Sequence, residues 1–63
     1  MIEVKQLDGT QIALNAELIE TVKAHPDTVI TLTNGNKYLV KESVQEVLLK
    51  IREYRKIIAG GIL

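Results

Sequence analysis

The stretch from Thr28 to Arg55 constrains the chain most, because it reads as strand, turn, strand and helix in direct succession. Thr28 to Thr33 is β-branched except for Leu32, and Lys37 to Lys41 is a second short extended run. Between them stands Asn34-Gly35, the strongest two-residue hairpin signal. A two-residue type I′ turn is expected there, with positive φ at both residues, which Asn tolerates and Gly adopts without steric cost. Ser43-Val44-Gln45-Glu46 follows as a capping box: the Ser43 hydroxyl accepts from the Glu46 amide and the Glu46 carboxylate accepts from the Ser43 amide. A helix therefore begins immediately after Ser43.

Along that helix Val44, Val47, Leu48, Ile51, Tyr54 and Ile58 recur at spacings of three and four and form one apolar stripe, widened by Leu49 and Ile57. Arg52, Arg55 and Lys56 gather near the C-terminal end, where they complement the helix dipole or offer a docking patch to an acidic partner. Gly60-Gly61 is expected to stop the helix, leaving residues 60–63 as a short tail in which Ile62-Leu63 could hook a neighbouring subunit.

Upstream, Ile2 to Leu7 alternates as a half-buried strand, and Gln11 to Leu14 resumes the pattern after Asp8-Gly9-Thr10. A three-residue loop pairing Val4 with Leu14 and Gln6 with Ile12 puts Ile2, Val4, Ile12 and Leu14 on one face, so this register is preferred over a two-residue Asp-Gly turn. Asn15 can cap a short turn through Ala16 and Glu17, and a third strand runs from Leu18 and Ile19 to Ala24. His25-Pro26-Asp27 ends it, with Pro26-Asp27 suited to the centre of a type I turn. The expected fold is α+β: a small antiparallel five-stranded β-meander followed by one C-terminal helix, in a single domain over residues 1–59.

With Thr33 opposite Asn36, one face of the central hairpin holds Ile30, Leu32 and Leu39, and the other holds Val29, Thr31, Tyr38 and Val40. Neither face is plainly polar. One can pack on the helix; the other must meet a second copy or be closed over by the first strands of the same chain. A homo-oligomer is the preferred expectation, because a chain of 63 residues without Phe, Trp or Cys builds a small core from aliphatic side chains alone. Tyr38 is either a sheet-packing residue or an interface anchor.

Chemistry is scarce. The lone His25 lies in a turn, no serine or cysteine nucleophile signature is present, and one His with no Cys is a poor basis for a metal site. Gly9 and Gly35 stand alone in turns, and Gly60-Gly61 follows a helix, so no phosphate-cradling loop precedes a helix N-terminus. No catalytic residue, cofactor, metal or small-molecule substrate is expected. Eight basic and eight acidic side chains cancel, which argues against a duplex nucleic-acid binder. No apolar run approaches membrane-spanning length, and a cytoplasmic location without membrane insertion is the expectation.

The run from Pro26 to Gly35, continued by Lys37-Tyr38-Leu39-Val40-Lys41-Glu42-Ser43, resembles the FlbD family of small flagellar proteins. Leu7-Asp8-Gly9, Leu14-Asn15 and Ile19-Glu20 extend the resemblance to most of the chain. Lys23 departs from it, standing where an acidic residue is common, and Asp8 and His25 are turn substitutions. The resemblance implies a non-enzymatic cytoplasmic accessory of the bacterial flagellum that supports swarming by raising motor power, in contact with the motor or stator. Thr28 to Arg55 alone also looks like the closing part of a LytTR-type DNA-binding domain, and that alternative implies a regulatory module.

Overall fold

The computed structural model describes residues 1–24 and 26–60. The strands are β1 (Ile2–Lys5), β2 (Gln11–Leu14), β3 (Ile19–Ala24), β4 (Thr28–Leu32) and β5 (Lys37–Val40), followed by helix α1 (Val44–Gly60). The fold is α+β with antiparallel strands and one C-terminal helix, as the sequence predicts. The strands divide into a two-stranded sheet, β1-β2, and a three-stranded sheet, β3-β4-β5. The sheets are joined where Gln6 bridges Val40. Around that bridge the Lys41 amide donates to the Lys5 carbonyl at 2.8 Å and the Leu7 amide to the Leu39 carbonyl at 3.3 Å. The first hairpin thus lies alongside β5 within one chain.

Both hairpins β1-β2 and β4-β5 turn in the same way. In the first, the Gly9 amide donates to the Gln6 carbonyl at 2.9 Å, the Gln6 amide to the Thr10 carbonyl at 2.8 Å, and the Thr10 amide to Asp8 Oδ1 at 2.9 Å. In the second, the Gly35 amide donates to the Leu32 carbonyl at 2.9 Å, the Leu32 amide to the Asn36 carbonyl at 2.8 Å, and the Asn36 amide to Asn34 Oδ1 at 2.9 Å. Gly9 and Gly35 have φ of +94° and +91°, and no other residue among those described has positive φ. This is the three-residue loop in which a type I turn is followed by a left-handed glycine.

The type I′ expectation at Asn34-Gly35 is therefore corrected, because Asn34 stays at negative φ. Its consequence is a one-residue shift of register. Ile30 pairs with Tyr38 and Thr28 with Val40, so Tyr38 and Val40 share the face of Ile30 and Leu32, and Leu39 turns to the opposite face with Val29 and Thr31. In the first hairpin the expected pairing of Val4 with Leu14 is corrected to Val4 with Ile12 and Ile2 with Leu14, a two-residue shift that keeps all four on the predicted face.

Asn15 caps a 3-10 turn, Ala16–Leu18, with Oδ1 accepting from the Glu17 amide at 3.0 Å. The Thr33 amide donates to the Leu18 carbonyl at 2.8 Å and holds that turn against the end of β4. The turn expected around Pro26 includes His25, which lies outside the described residues, as do Gly61, Ile62 and Leu63. Helix α1 extends to Gly60, the first glycine of the expected Gly60-Gly61 stop, whose second glycine lies outside the described residues.

The buried core comprises Ile2, Val4, Leu14, Ala16, Ile30, Leu32, Val40 and Val47, with Tyr38, Ile51 and Tyr54 packed against it from the margin. It draws on both sheets and the helix, so neither sheet has a core of its own. At the helix entrance the Ser43 amide donates to Glu46 Oε1 at 2.9 Å and the Glu46 amide to Ser43 Oγ at 3.1 Å. One turn on, fully buried Val47 closes the first helical bond to the Ser43 carbonyl at 3.0 Å. The cap thus fixes where the helix meets the sheets.

Gly35→Ala should cost about 1 kcal/mol in chemical denaturation, because nothing lies within 4 Å of an added Cβ and the penalty is that of left-handed backbone alone. Gly35→Asn should recover part of that loss, and an unchanged midpoint for the alanine variant would contradict the turn geometry. Ser43→Ala should cost about 1 kcal/mol through loss of the cap. The Ser43 backbone N–H, then its hydroxyl, and last the charge of Lys50 hold the Glu46 carboxyl below its ordinary value. A depressed carboxyl stabilises above its unfolded pKa and loses that contribution as pH falls through the folded value. The midpoint difference between the native protein and Glu46→Gln should thus be largest near neutrality and shrink below the carboxylate range.

Candidate interaction surface

The structure distributes the residues singled out in the sequence over separate places. Gly9, Asn34 and Gly35 shape hairpin loops, Pro26 is exposed before β4, and Ser43 and Glu46 cap α1. Tyr38 is half-buried against the core, on the inner face of the sheet. Arg52, Arg55 and Lys56 are exposed on α1. The last turn of α1 carries no basic residue, so these three cations precede the range over which the dipole acts most strongly.

Titratable chemistry is sparse among the described residues. None of their Asp and Glu side chains form a group of three or more that could hold a metal ion. Asp8 has a lowered pKa because its carboxylate accepts from the Thr10 amide and then from the Thr10 hydroxyl, with a smaller contribution from Lys41. Both shifted carboxyls, Asp8 and Glu46, are solvent-exposed and serve a turn and a cap. The buried polar residue Thr28 leaves no side-chain atom unsatisfied. The described arrangement offers surfaces for contact.

An open groove of about 570 Å³ lies between the outer part of the first hairpin and the second half of α1. Met1, Leu49, Tyr54 and Ile57 give it an apolar lining, and Glu3, Lys50 and Glu53 add charge. Met1, Leu49 and Ile57 are 67, 53 and 66% exposed, so the groove concentrates apolar side chains that the core leaves uncovered. The helical periodicity flags Leu49 and Ile57 as flanking the buried stripe. What it misses is that Met1 comes to lie beside them, because that depends on where β1 crosses the helix.

A family model described as Flagellar and Swarming motility proteins matches residues 1–59. The chain belongs to the FlbD family. Neither the curated proteins nor the solved structures return a match to it. The FlbD match extends through both hairpins, the seam between the sheets and nearly all of α1, so it includes every residue lining the groove. No helix among the described residues of this FlbD chain is long and apolar enough to cross a membrane.

At dilutions that keep copies of the chain apart, Leu49→Glu should leave the denaturation midpoint within about 0.5 kcal/mol of the native protein, as expected for an exposed position away from caps and core. Val47→Ala, one turn inside the core, should cost about 2 kcal/mol or more. Comparable losses for the two would contradict the division of α1 into a buried face and a groove face.

Proposed function

We infer that this protein is a non-enzymatic, cytoplasmic accessory of the bacterial flagellum that supports swarming motility, in a SwrD-like manner, by raising flagellar motor power through protein-protein contacts with the motor or stator. The FlbD family match over residues 1–59 carries this reading. The exposed apolar groove supports contact as the mode of action.

The groove serves self-association. A second copy seats its α1 antiparallel against the first, in the register that sets Lys50 of each copy opposite Glu53 of the other and Leu49 opposite Tyr54. Opposite charges then meet twice across the two-fold axis and the apolar residues between them leave water. A homo-oligomer presents its contact surfaces to the motor in multiple copies, so modest single contacts gain avidity.

In cells lacking the protein, torque on tethered flagella should fall while filament number stays normal; unchanged torque would overturn the motor-power reading. Leu49→Glu should weaken self-association in sedimentation equilibrium by at least about tenfold, through loss of buried apolar area and an added repulsion beside Glu53. Unchanged association would place the oligomer interface elsewhere.

A further inference from the structure

The sheet carries a second surface, assembled only because the two hairpins lie side by side. On β5 half-buried Tyr38 and buried Val40 point inward, so Lys37 and Leu39, and Lys41 beyond them, point out. On β4 Thr28, Ile30 and Leu32 are buried and Val29 and Thr31 face out. Register then aligns the outward residues across strands. Leu7 meets Leu39 across the seam, Leu39 pairs with Val29, and Val29 pairs with Lys23 on β3.

This transverse row is aliphatic over Leu7, Leu39 and Val29, and Leu7 and Leu39 remain 42 and 44% exposed. Lys5 and Lys41 flank it on one side, held next to each other by the bond between their backbones, and Lys37 flanks it on the other, paired with Thr31. With Lys23 at its end, the face gathers four of the eight basic side chains of a chain whose formal charge is zero. At its border Glu42 accepts from the Lys5 amide at 3.1 Å, Asp8 from the Thr10 amide at 2.9 Å, and Glu3 from Gln11 Nε2 at 3.3 Å, while exposed Asp27 lies just ahead of Thr28 toward Lys41.

We propose that this outer face, centred on Leu7 and Leu39 and ringed by Lys5, Lys23, Lys37 and Lys41, binds an extended segment of another protein in which aliphatic residues are flanked by Asp or Glu. Charge complementarity selects the acidic partner. The aliphatic row selects a polypeptide over a phosphate polymer, since bound phosphates would leave the leucines uncovered, and the lysines provide neither bidentate arginine forks nor aromatic platforms for bases. Four adjacent strands span roughly 15 Å, so the face fits a short segment and a transient interaction.

The test is titration of the full-length 15N-labelled protein with a synthetic peptide, acetyl-Glu-Glu-Leu-Val-Leu-Glu-Glu-amide, followed by amide chemical shifts. The expected result is saturable shifts at residues 5–7, 23, 29 and 37–41, weakening at least tenfold when salt is raised from about 50 to about 500 mM. The double variant Lys37→Glu, Lys41→Glu should weaken binding at least tenfold while its amide spectrum away from the face stays native. Because both positions are exposed, that retained spectrum separates lost binding from lost folding. No binding, shifts confined to α1, affinity unchanged in the double variant, or tighter binding of a random-sequence DNA duplex would each overturn the proposal. The groove is tested separately, by self-association.

Discussion

The structure depends on the seam between β1 and β5. A two-stranded hairpin is marginal by itself in water, and the β1-β2 sheet has only two strands. Its rescue is the edge of the other sheet. Lys5 is the pivot: its carbonyl accepts from Lys41, and its amide donates to both carboxylate oxygens of Glu42 at 3.1 Å. A side chain at the β5-α1 connection therefore satisfies a backbone donor of β1 just where the ladder ends. This contact fastens the hairpin and the connection to the helix in one place.

From that seam follow the core and the surfaces. Eight buried aliphatic residues from both sheets, the 3-10 turn and the helix meet in one cluster, while the two tyrosines, Tyr38 and Tyr54, pack at its edge. A core of this size leaves aliphatic side chains outside. Some gather in the groove beside α1, where Glu53 and Lys50 give the apolar surface a polarity; others form the lysine-ringed row on the outer sheet face. Both surfaces are built on strands and a helix that the core holds rigid, which suits recognition by preformed contacts.

Local chemistry was legible in the sequence. The Ser43-Glu46 reciprocal cap and the Asn15 turn use bonds spanning two or three residues, so the side chains that make them stand together in the chain. The hairpin register was not. Asn34-Gly35 is compatible with a two-residue loop, in which both residues take positive φ, and with a three-residue loop, in which only the glycine does; the local signal is the same. Packing decides between them. The three-residue loop sends Tyr38 and Val40 inward with Ile30, and thereby frees Leu39 and its lysine neighbours for the outer face. Glu42 shows the same limit from another direction: it contacts a residue 37 positions away, a distance over which no periodicity speaks. The candidate surface fared likewise. The helix periodicity marked Leu49 and Ile57, but Met1 joins them only through the tertiary fold.

The most direct test of this account is native-state hydrogen exchange at the amides of Leu7 and Lys41, compared with those of β4. If the seam makes one cooperative unit of the two sheets, these amides should exchange with nearly the opening free energy of the β4-β5 ladder, and Glu42→Ala should accelerate the Lys5 amide most of all. Exchange at Leu7 and Lys41 as fast as in an unfolded chain, with β4 still protected, would mean that the first hairpin opens independently and that the outer face does not exist as a continuous surface.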